Sequence, residues 1–306
     1  GYLTLPRFVL IAGILGMPFL MPSMYWQRVI SVVCIYAILA MSFDLLAHYV
    51  GLVSLGGAFF IGIGGYIAAV LNTSLGLPPL VCIPIATIAG GVICTILLLP
   101  CLPLRGVYFA IVTLMDPLAL GRVIEALDVL GGTDGIMGVE SFPNQWVEQY
   151  FVISMVLLFL FGLRRLVNVD LGLVLRAVKD NDQAVKASGM SITFFKALAV
   201  FIASAMGCLG GACIVHIYMW SGISLFALDF SILPIAATII GGGGTLVGPV
   251  LGCFILVPIS ELLREFGTLR IVVYSVILMA FVVFRSEGIM NYGQRKYHQF
   301  ERWVKV

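Results

Sequence analysis

Repeated long apolar runs constrain this chain more than any other feature of its sequence. Several of them approach the roughly 20 apolar residues that cross a bilayer as a helix. Of the 306 residues, 61% are hydrophobic and only 10% are charged. A soluble protein of this length needs more charge to cover its surface. The sequence therefore predicts an all-α polytopic membrane protein.

The runs predict about ten transmembrane helices in a single domain that covers residues 1–306. We place them at about 8–21, 28–48, 51–72, 79–100, 106–126, 148–166, 193–218, 229–241, 246–263 and 270–285. The third and ninth begin in glycine-rich sequence, and the eighth is short. We expect broken or re-entrant segments at these glycine-rich positions.

Lys and Arg residues are distributed unevenly between the two sides of this topology. With both termini in the cytoplasm, thirteen of the 17 basic residues fall on the cytoplasmic side. These thirteen are Arg7, Arg105, Arg164, Arg165, Arg176, Lys179, Lys186, Lys196, Arg285, Arg295, Lys296, Arg302 and Lys305; the other four are Arg28, Arg122, Arg264 and Arg270. The positive-inside rule therefore predicts a multi-pass protein of a cell membrane with both termini inside.

The sequence lacks the motifs that common enzyme classes require. The glycine run 241–244 is not followed by the Gly-Lys-Ser/Thr of a phosphate-binding loop. His48, His216 and His298 are scattered without metal-ligand spacing. The cysteines lie in apolar runs, where we expect them to serve as packing residues. We therefore predict no catalytic, metal or cofactor site in this chain, so any ATP hydrolysis would belong to another subunit.

Glycine clusters provide the first candidates for a transport pathway. The spacings at 207–211, 244–248 and 248–252 allow helix backbones to approach closely, and close packing is our preferred interpretation for most of them. At 51–57 and 241–245 the alternative is a discontinuous helix that lines an aqueous route. The pathway candidates in these two clusters are Ser54, Leu55, Gly56, Gly242 and Thr245.

Acidic residues at membrane depth are the second group of candidates. Asp44, Asp116 and Asp229 should face partners or water, because a charge is costly in hydrocarbon. Asp44 near the end of a predicted helix has the alternative of an interfacial position. Asp116 precedes Pro117, so capping of a kinked helix is as good an interpretation as a pathway role. Tyr108 is an aromatic candidate, although such residues more often pack or face lipid.

The charged segment Asp170–Met190 interrupts the apolar pattern. Its first part has an apolar face flanked by Arg176 and Lys179, and Asp180–Asp182 offers N-cap residues. Gly189 is a natural helix stop, so the pattern predicts a helix of about two turns. One alternative is a helix lying on the membrane surface. Small residues at its end favour docking into a protein cleft instead.

Six segments together resemble a known transporter family. They are Gly51–Gly56, Gly106–Leu114, Gly131–Ile136, Leu175–Asp182 with Ala187–Gly189, Gly241–Gly252 and Phe284–Gly288. In this order and spacing the chain resembles the membrane permease subunits of ABC importers for branched-chain amino acids. The resemblance is strongest to the permease with the longer cytoplasmic loop.

The resemblance implies a set of partners. It implies a heterodimer with a second permease, two cytoplasmic ATPase subunits that bind ATP and Mg²⁺, a periplasmic binding protein and surrounding lipid, without nucleic acid. Within the segment 167–192, the residues implied to couple to the ATPase are Arg176, Lys179, Asp180, Asp182, Ala184, Lys186 and Gly189. The resemblance adds Thr113 to the pathway candidates. The predicted topology itself places a periplasmic loop with Gly131, Gly132, Thr133, Asp134 and Gly135 outside, and the sequence ends in a basic tail at 287–306.

The solute is less constrained than the class of transporter. Met115–Pro117 departs from the usual continuation of the family motif. The candidate solutes are therefore leucine, isoleucine and valine, together with the urea, amides and aromatic acids that other members of the family carry. A rival hypothesis is a secondary transporter that works alone and uses Asp44, Asp116 or Asp229 as proton sites. A passive channel is the third.

Overall fold

A computed structural model describes residues 23–104, 106–128, 130–263 and 288–290, together with the separate positions 267, 272, 273, 275, 276 and 279. The predicted helix at 8–21 and the part of the predicted tail beyond residue 290 lie outside the described residues. The predicted helix at 270–285 is described only at isolated positions. The count of ten transmembrane helices therefore stays a prediction.

Most of the described residues are helical. Its helices are α1 (Met24–Asp44), α2 (Gly57–Leu75), α3 (Pro79–Leu98), α4 (Val107–Leu127), α5 (Gln145–Val167), α6 (Asp170–Asp180), α7 (Asp182–Ala187), α8 (Ile192–Tyr218), α9 (Asp229–Gly241) and α10 (Val247–Leu262). Short 3₁₀ turns occupy Leu99–Cys101 and Ile223–Phe226, and strands β1 (Ile136–Met137) and β2 (Trp220–Ser221) pair antiparallel. Within the described residues, seven helices are long and apolar enough to cross a membrane. The all-α polytopic fold is thereby confirmed.

Helix α1 continues into a π-helical turn, Leu45–Val50, which we call the π segment. It ends at Gly51, whose φ of 79° is the left-handed conformation that glycine adopts without strain. Helix α6 packs on this segment, whereas the β1–β2 pair follows the far end of α8. We therefore refer to the two ends of the bundle as the α6 end and the β end.

Helix α8 lies at the centre, and glycines bring its neighbours close. A Cβ on Gly64 of α2 would overlap the backbone of Cys208, and one on Gly211 of α8 would overlap the carbonyl of Ile61. The same holds for Gly252, which meets the carbonyl of Ala237 where α10 crosses α9. Close packing at these glycines is confirmed. Helices in lipid gain no hydrophobic driving force from association, so van der Waals contact between the close backbones stabilises these crossings.

Helices α2 and α9 both begin inside the bundle. Residues 51–56 enter non-helically from the α6 end, and the 3₁₀ turn Ile223–Phe226 approaches from the β end along α2. The two helices meet at their first turns, where the Ala58 N–H donates to Ser231 Oγ at 2.9 Å. The break expected at Gly51–Gly57 is therefore present, and α9 contributes a second helix start that sequence reasoning had not placed inside the bundle.

Candidate functional site

A small cavity of about 10 Å³ lies where α2 and α9 begin. Its walls combine apolar side chains with serine hydroxyls from α1, the 51–56 segment and α9. The principal lining residues are Leu39, Ser42, Ser54, Phe60, Phe230 and Ser231. Pockets for small molecules are typically apolar with a few polar groups and measure roughly 300–1,000 Å³, so this cavity has the lining of such a pocket but is closed to a solute in this structure.

The 51–56 segment that borders the cavity is anchored from α4. Its Leu55 N–H donates to Thr113 Oγ1 at 2.9 Å, and its Gly56 N–H donates to Ser54 Oγ at 3.3 Å. The Thr113 hydroxyl in turn donates to the backbone carbonyl of Phe109 at 3.0 Å, one turn earlier in α4. Thr113 is fully buried, so its role here is to satisfy a non-helical backbone inside the bundle.

Asp44 holds the second glycine-rich segment, Gly242–Leu246. One carboxylate oxygen accepts from the Gly244 N–H at 2.6 Å, and the other accepts from the Leu246 N–H at 3.1 Å. His48 Nδ1 lies 2.8 Å from the same carboxylate, one turn along the chain. Asp44 is fully buried among protein atoms. Buried charges need such partners, and charge-assisted bonds to backbone N–H groups are strong.

The segment held by Asp44 has an unusual backbone. Gly242, Gly244 and Leu246 all have positive φ, and Leu246 is the one among them with a side chain. An L-residue in this region costs roughly 1–2 kcal/mol, so the carboxylate contacts offset real strain. Thr245 Oγ1 donates to the Gly242 carbonyl at 2.8 Å and accepts from the Gly248 N–H at 2.9 Å. Thr245 thus precedes α10 and accepts from a backbone N–H group in the first turn of that helix.

Helix α6 grips the π segment from the other side. Lys179 Nζ donates to the His48 carbonyl at 2.9 Å, and the Arg176 guanidinium lies 5.2 Å from the centre of the Tyr49 ring. The Tyr49 hydroxyl donates to the Gly244 carbonyl at 2.7 Å. Tyr49 therefore contacts both α6 and the 242–246 segment.

The predicted coupling residues form an exposed charged surface on α6 and α7. Leu175, Val178 and Val185 point inward and are buried, which gives both helices an apolar inner face. Exposed on the outer face are Arg176, Lys179, Asp180, Ala184, Lys186 and Gly189, with Asp182 partly buried. The predicted short helix is present as α7, where Asn181 Oδ1 accepts from the Ala184 N–H at 3.1 Å as an N-cap. Helix α6, which precedes it, was not predicted.

The remaining predicted residues lie elsewhere. Tyr108 is 72% exposed on α4, and Asp116 lies half-buried on the same helix, so neither joins the cavity at α2 and α9. Asp229 begins α9 inside the bundle. Arg122 donates to Glu125, three residues later on α4, at 2.8 Å.

The predicted outer loop is built at the β end. Gly131, Gly132 and Gly135 adopt positive φ in a tight turn that also contains Thr133. The Asp134 carbonyl accepts from the Trp220 indole N–H at 3.1 Å, which ties this turn to β2.

Sequence reasoning missed several residues of the site. His48 was treated as a scattered histidine, and Tyr49, Phe230 and Ser231 were not singled out. The spacing of Asp44 and His48, four residues apart on one helix face, was the available signal for the first. Over the part of the chain that the structure describes, no group of three His, Cys, Asp or Glu side chains could hold a metal ion.

Comparison with known proteins places these features in context. The family described as "Branched-chain amino acid transport system / permease component" matches residues 25–284. The high-affinity branched-chain amino acid transport system permease protein LivM of Salmonella typhimurium is 26% identical over 291 residues, with 84% of this chain and 68% of that protein covered. The Escherichia coli protein of the same name has the same identity and coverage.

An archaeal relative extends the comparison. The probable branched-chain amino acid transport permease protein LivM of Methanocaldococcus jannaschii is 27% identical over 248 residues, with 70% of this chain and 71% of that protein covered. No solved structure matches the chain.

Proposed function

The chain belongs to the permease component family of branched-chain amino acid transport systems, and from this premise we propose that it forms the transmembrane pathway of an ATP-driven importer. Its relatives are multi-pass membrane permeases, which are transport subunits rather than enzymes. The observation that carries the proposal is the charged surface of α6 and α7. This surface faces away from the bundle, while the same α6 holds the π segment and through it the 242–246 segment.

The proposed solute is a branched-chain or other hydrophobic amino acid, or a related small organic solute such as urea, an amide or an aromatic acid. The lining of the cavity at the starts of α2 and α9 supports this choice, because apolar walls and a few hydroxyls suit a small molecule that is partly apolar, and the cavity would have to widen to admit it. Ser54 of the 51–56 segment and Gly57 at the start of α2 line this cavity, and Ser231 joins them from α9. None of its described lining residues is charged.

The proposed partners are a second permease, two ATPase subunits and a solute-binding protein outside the cell. We place α6 and α7 on the cytoplasmic side, because the described Lys and Arg residues concentrate at the α6 end, as the positive-inside rule requires. Both signs of charge occur on the exposed surface, with Arg176 and Lys186 beside Asp180. ATP and Mg²⁺ would bind to the ATPase subunits, and α6 and α7 would dock there as the coupling segment.

The contacts of Asp44 give little support to the rival hypothesis that the chain is a secondary transporter with Asp44 as a proton site. Its two oxygens accept from backbone N–H groups, and these bonds are strongest when the carboxylate carries its charge. Asp44 is therefore better suited to hold the 242–246 segment than to carry protons in each cycle.

Copurification in mild detergent tests the proposed assembly. A tagged chain that is coexpressed with its neighbouring transporter genes should retain ATPase subunits. Charge reversal by Arg176→Glu or Asp180→Lys should release those subunits and leave membrane insertion of the chain unchanged. Glu125→Lys at the β end is the matched control and should retain the ATPase. If the wild-type chain retains no ATPase subunit, or both α6 variants retain it fully, the coupling assignment is wrong.

A further inference from the structure

The contacts around the π segment point to a mechanical role for residues that lie between the exposed surface of α6 and α7 and the 242–246 segment. We propose that Tyr49, with the Asp44–His48 pair, transmits movement of α6 to the 242–246 segment and thereby to both walls of the cavity. This inference rests on the proposed function, since it needs a partner that moves α6. It assigns these three as positioning residues.

The first step is the contact between α6 and the π segment. Lys179 Nζ donates to the His48 carbonyl at 2.9 Å, and the Arg176 guanidinium stacks 5.2 Å above the Tyr49 ring. Gly51 follows with positive φ, and a Cβ there would lie 3.0 Å from Cγ of Lys179. Helix α6 thus packs directly on the backbone at Gly51, so α6 and the π segment cannot shift far relative to each other.

The second step is the contact between the π segment and residues 242–246. Tyr49 donates to the Gly244 carbonyl at 2.7 Å, while Asp44 accepts from the Gly244 and Leu246 N–H groups. The ring of His48 packs so closely on Gly243 that a Cβ would overlap it. Residues 44–49 therefore bind both the N–H groups and a carbonyl group of the 242–246 segment.

The third step connects this turn to the cavity. The π segment contributes Leu46 to the cavity wall and continues α1, which contributes Leu39 and Ser42. The 242–246 segment ends α9, which contributes Phe230 and Ser231 to the opposite wall. A shift of α6 that turns the π segment would therefore move α1 and α9 together.

A variant at Tyr49 can test the transmission of movement without changing the surface proposed to dock on the ATPase. It is 7% exposed, so it is buried beneath Arg176 and does not form part of the outer surface. Tyr49→Phe keeps the ring under Arg176 and removes the hydroxyl, which reaches Gly244 and also interacts with the Arg176 side chain. Tyr150→Phe is the matched control, because Tyr150 stacks on Trp146 near the β end, away from the π segment.

The test uses the full complex of the chain with its second permease, ATPases and binding protein, reconstituted in proteoliposomes. For Tyr49→Phe we expect the amount of leucine taken up per ATP hydrolysed to fall about three- to tenfold, the effect of losing one buried hydrogen bond. ATPase binding and basal hydrolysis should stay at the wild-type level, and Tyr150→Phe should behave as wild type.

Hydrogen exchange supplies a second readout that does not depend on the solute. In the wild-type complex, addition of a non-hydrolysable ATP analogue should alter exchange in peptides from α6 and in peptides that contain residues 242–246. In Tyr49→Phe the change should remain in α6 and be lost at 242–246. A variant with wild-type transport ratio and wild-type exchange at 242–246 overturns the inference and leaves the proposed function intact. A wild-type complex without ATP-dependent uptake overturns both.

Discussion

Replacement of Asp44 by Asn tests how strongly one buried carboxylate stabilises the 242–246 segment. Asp44 accepts from two backbone N–H groups and contacts His48 Nδ1, all within 3.1 Å. Asn keeps one oxygen acceptor, but its amide nitrogen would meet an N–H group instead of accepting from it. Loss of charge assistance and one unsatisfied buried N–H cost together roughly 2–4 kcal/mol. The positive φ of Leu246 would then lack a compensating contact.

The matched control is Glu125→Gln, which removes a carboxylate charge from an exposed pair with Arg122. Exposed pairs contribute at most about 1 kcal/mol, so this variant should resemble the wild type. The assay is the free energy of unfolding of the purified chain from a titration with denaturing detergent. If Asp44→Asn loses less than Glu125→Gln, or the two variants lose equal stability, the assigned role of Asp44 is wrong.

Two further predictions concern the packing of the bundle. Gly211→Ala places a methyl group against the Ile61 carbonyl and should cost at least about 2 kcal/mol of unfolding free energy, whereas Gly162→Ala, with nothing within 4 Å of the added Cβ, should change it by less than about 1 kcal/mol; equal losses would contradict the packing argument. Thr113→Val leaves the Leu55 N–H without its acceptor and should cost about 1–3 kcal/mol, and Thr113→Ser should restore most of it. A Val variant as stable as the Ser variant would show that the hydroxyl does not anchor the 51–56 segment.

The fold class could be predicted from hydropathy because every backbone group in a bilayer must be paired within helices. The glycine spacings at Gly207–Gly211 and Gly248–Gly252 also predicted close helix packing, because small residues four positions apart lie on one face of a helix. The N-cap and stop of α7 were readable for the same reason: Asn181 and Gly189 act on their own helix ends.

The site was harder to predict because its contacts join residues far apart in the chain. Asp44 and Gly244 are 200 positions apart, and the Tyr49 hydroxyl reaches the same glycine over 195 positions. The start of α9 inside the bundle depends on Gly57 and Ser231 meeting, which neither segment specifies alone. A sequence pattern marks Asp44 as a costly buried charge, but only the packed structure identifies its partners.

The most direct test of the account is accumulation of radiolabelled leucine, isoleucine or valine in proteoliposomes that contain this chain, its second permease, the ATPases and the loaded binding protein. Ion gradients are collapsed with ionophores, so ATP is the only energy source. The account predicts accumulation above the external concentration that requires ATP and is lost with Arg176→Glu. Accumulation by this chain alone under an ion gradient, without ATPase subunits, would contradict it.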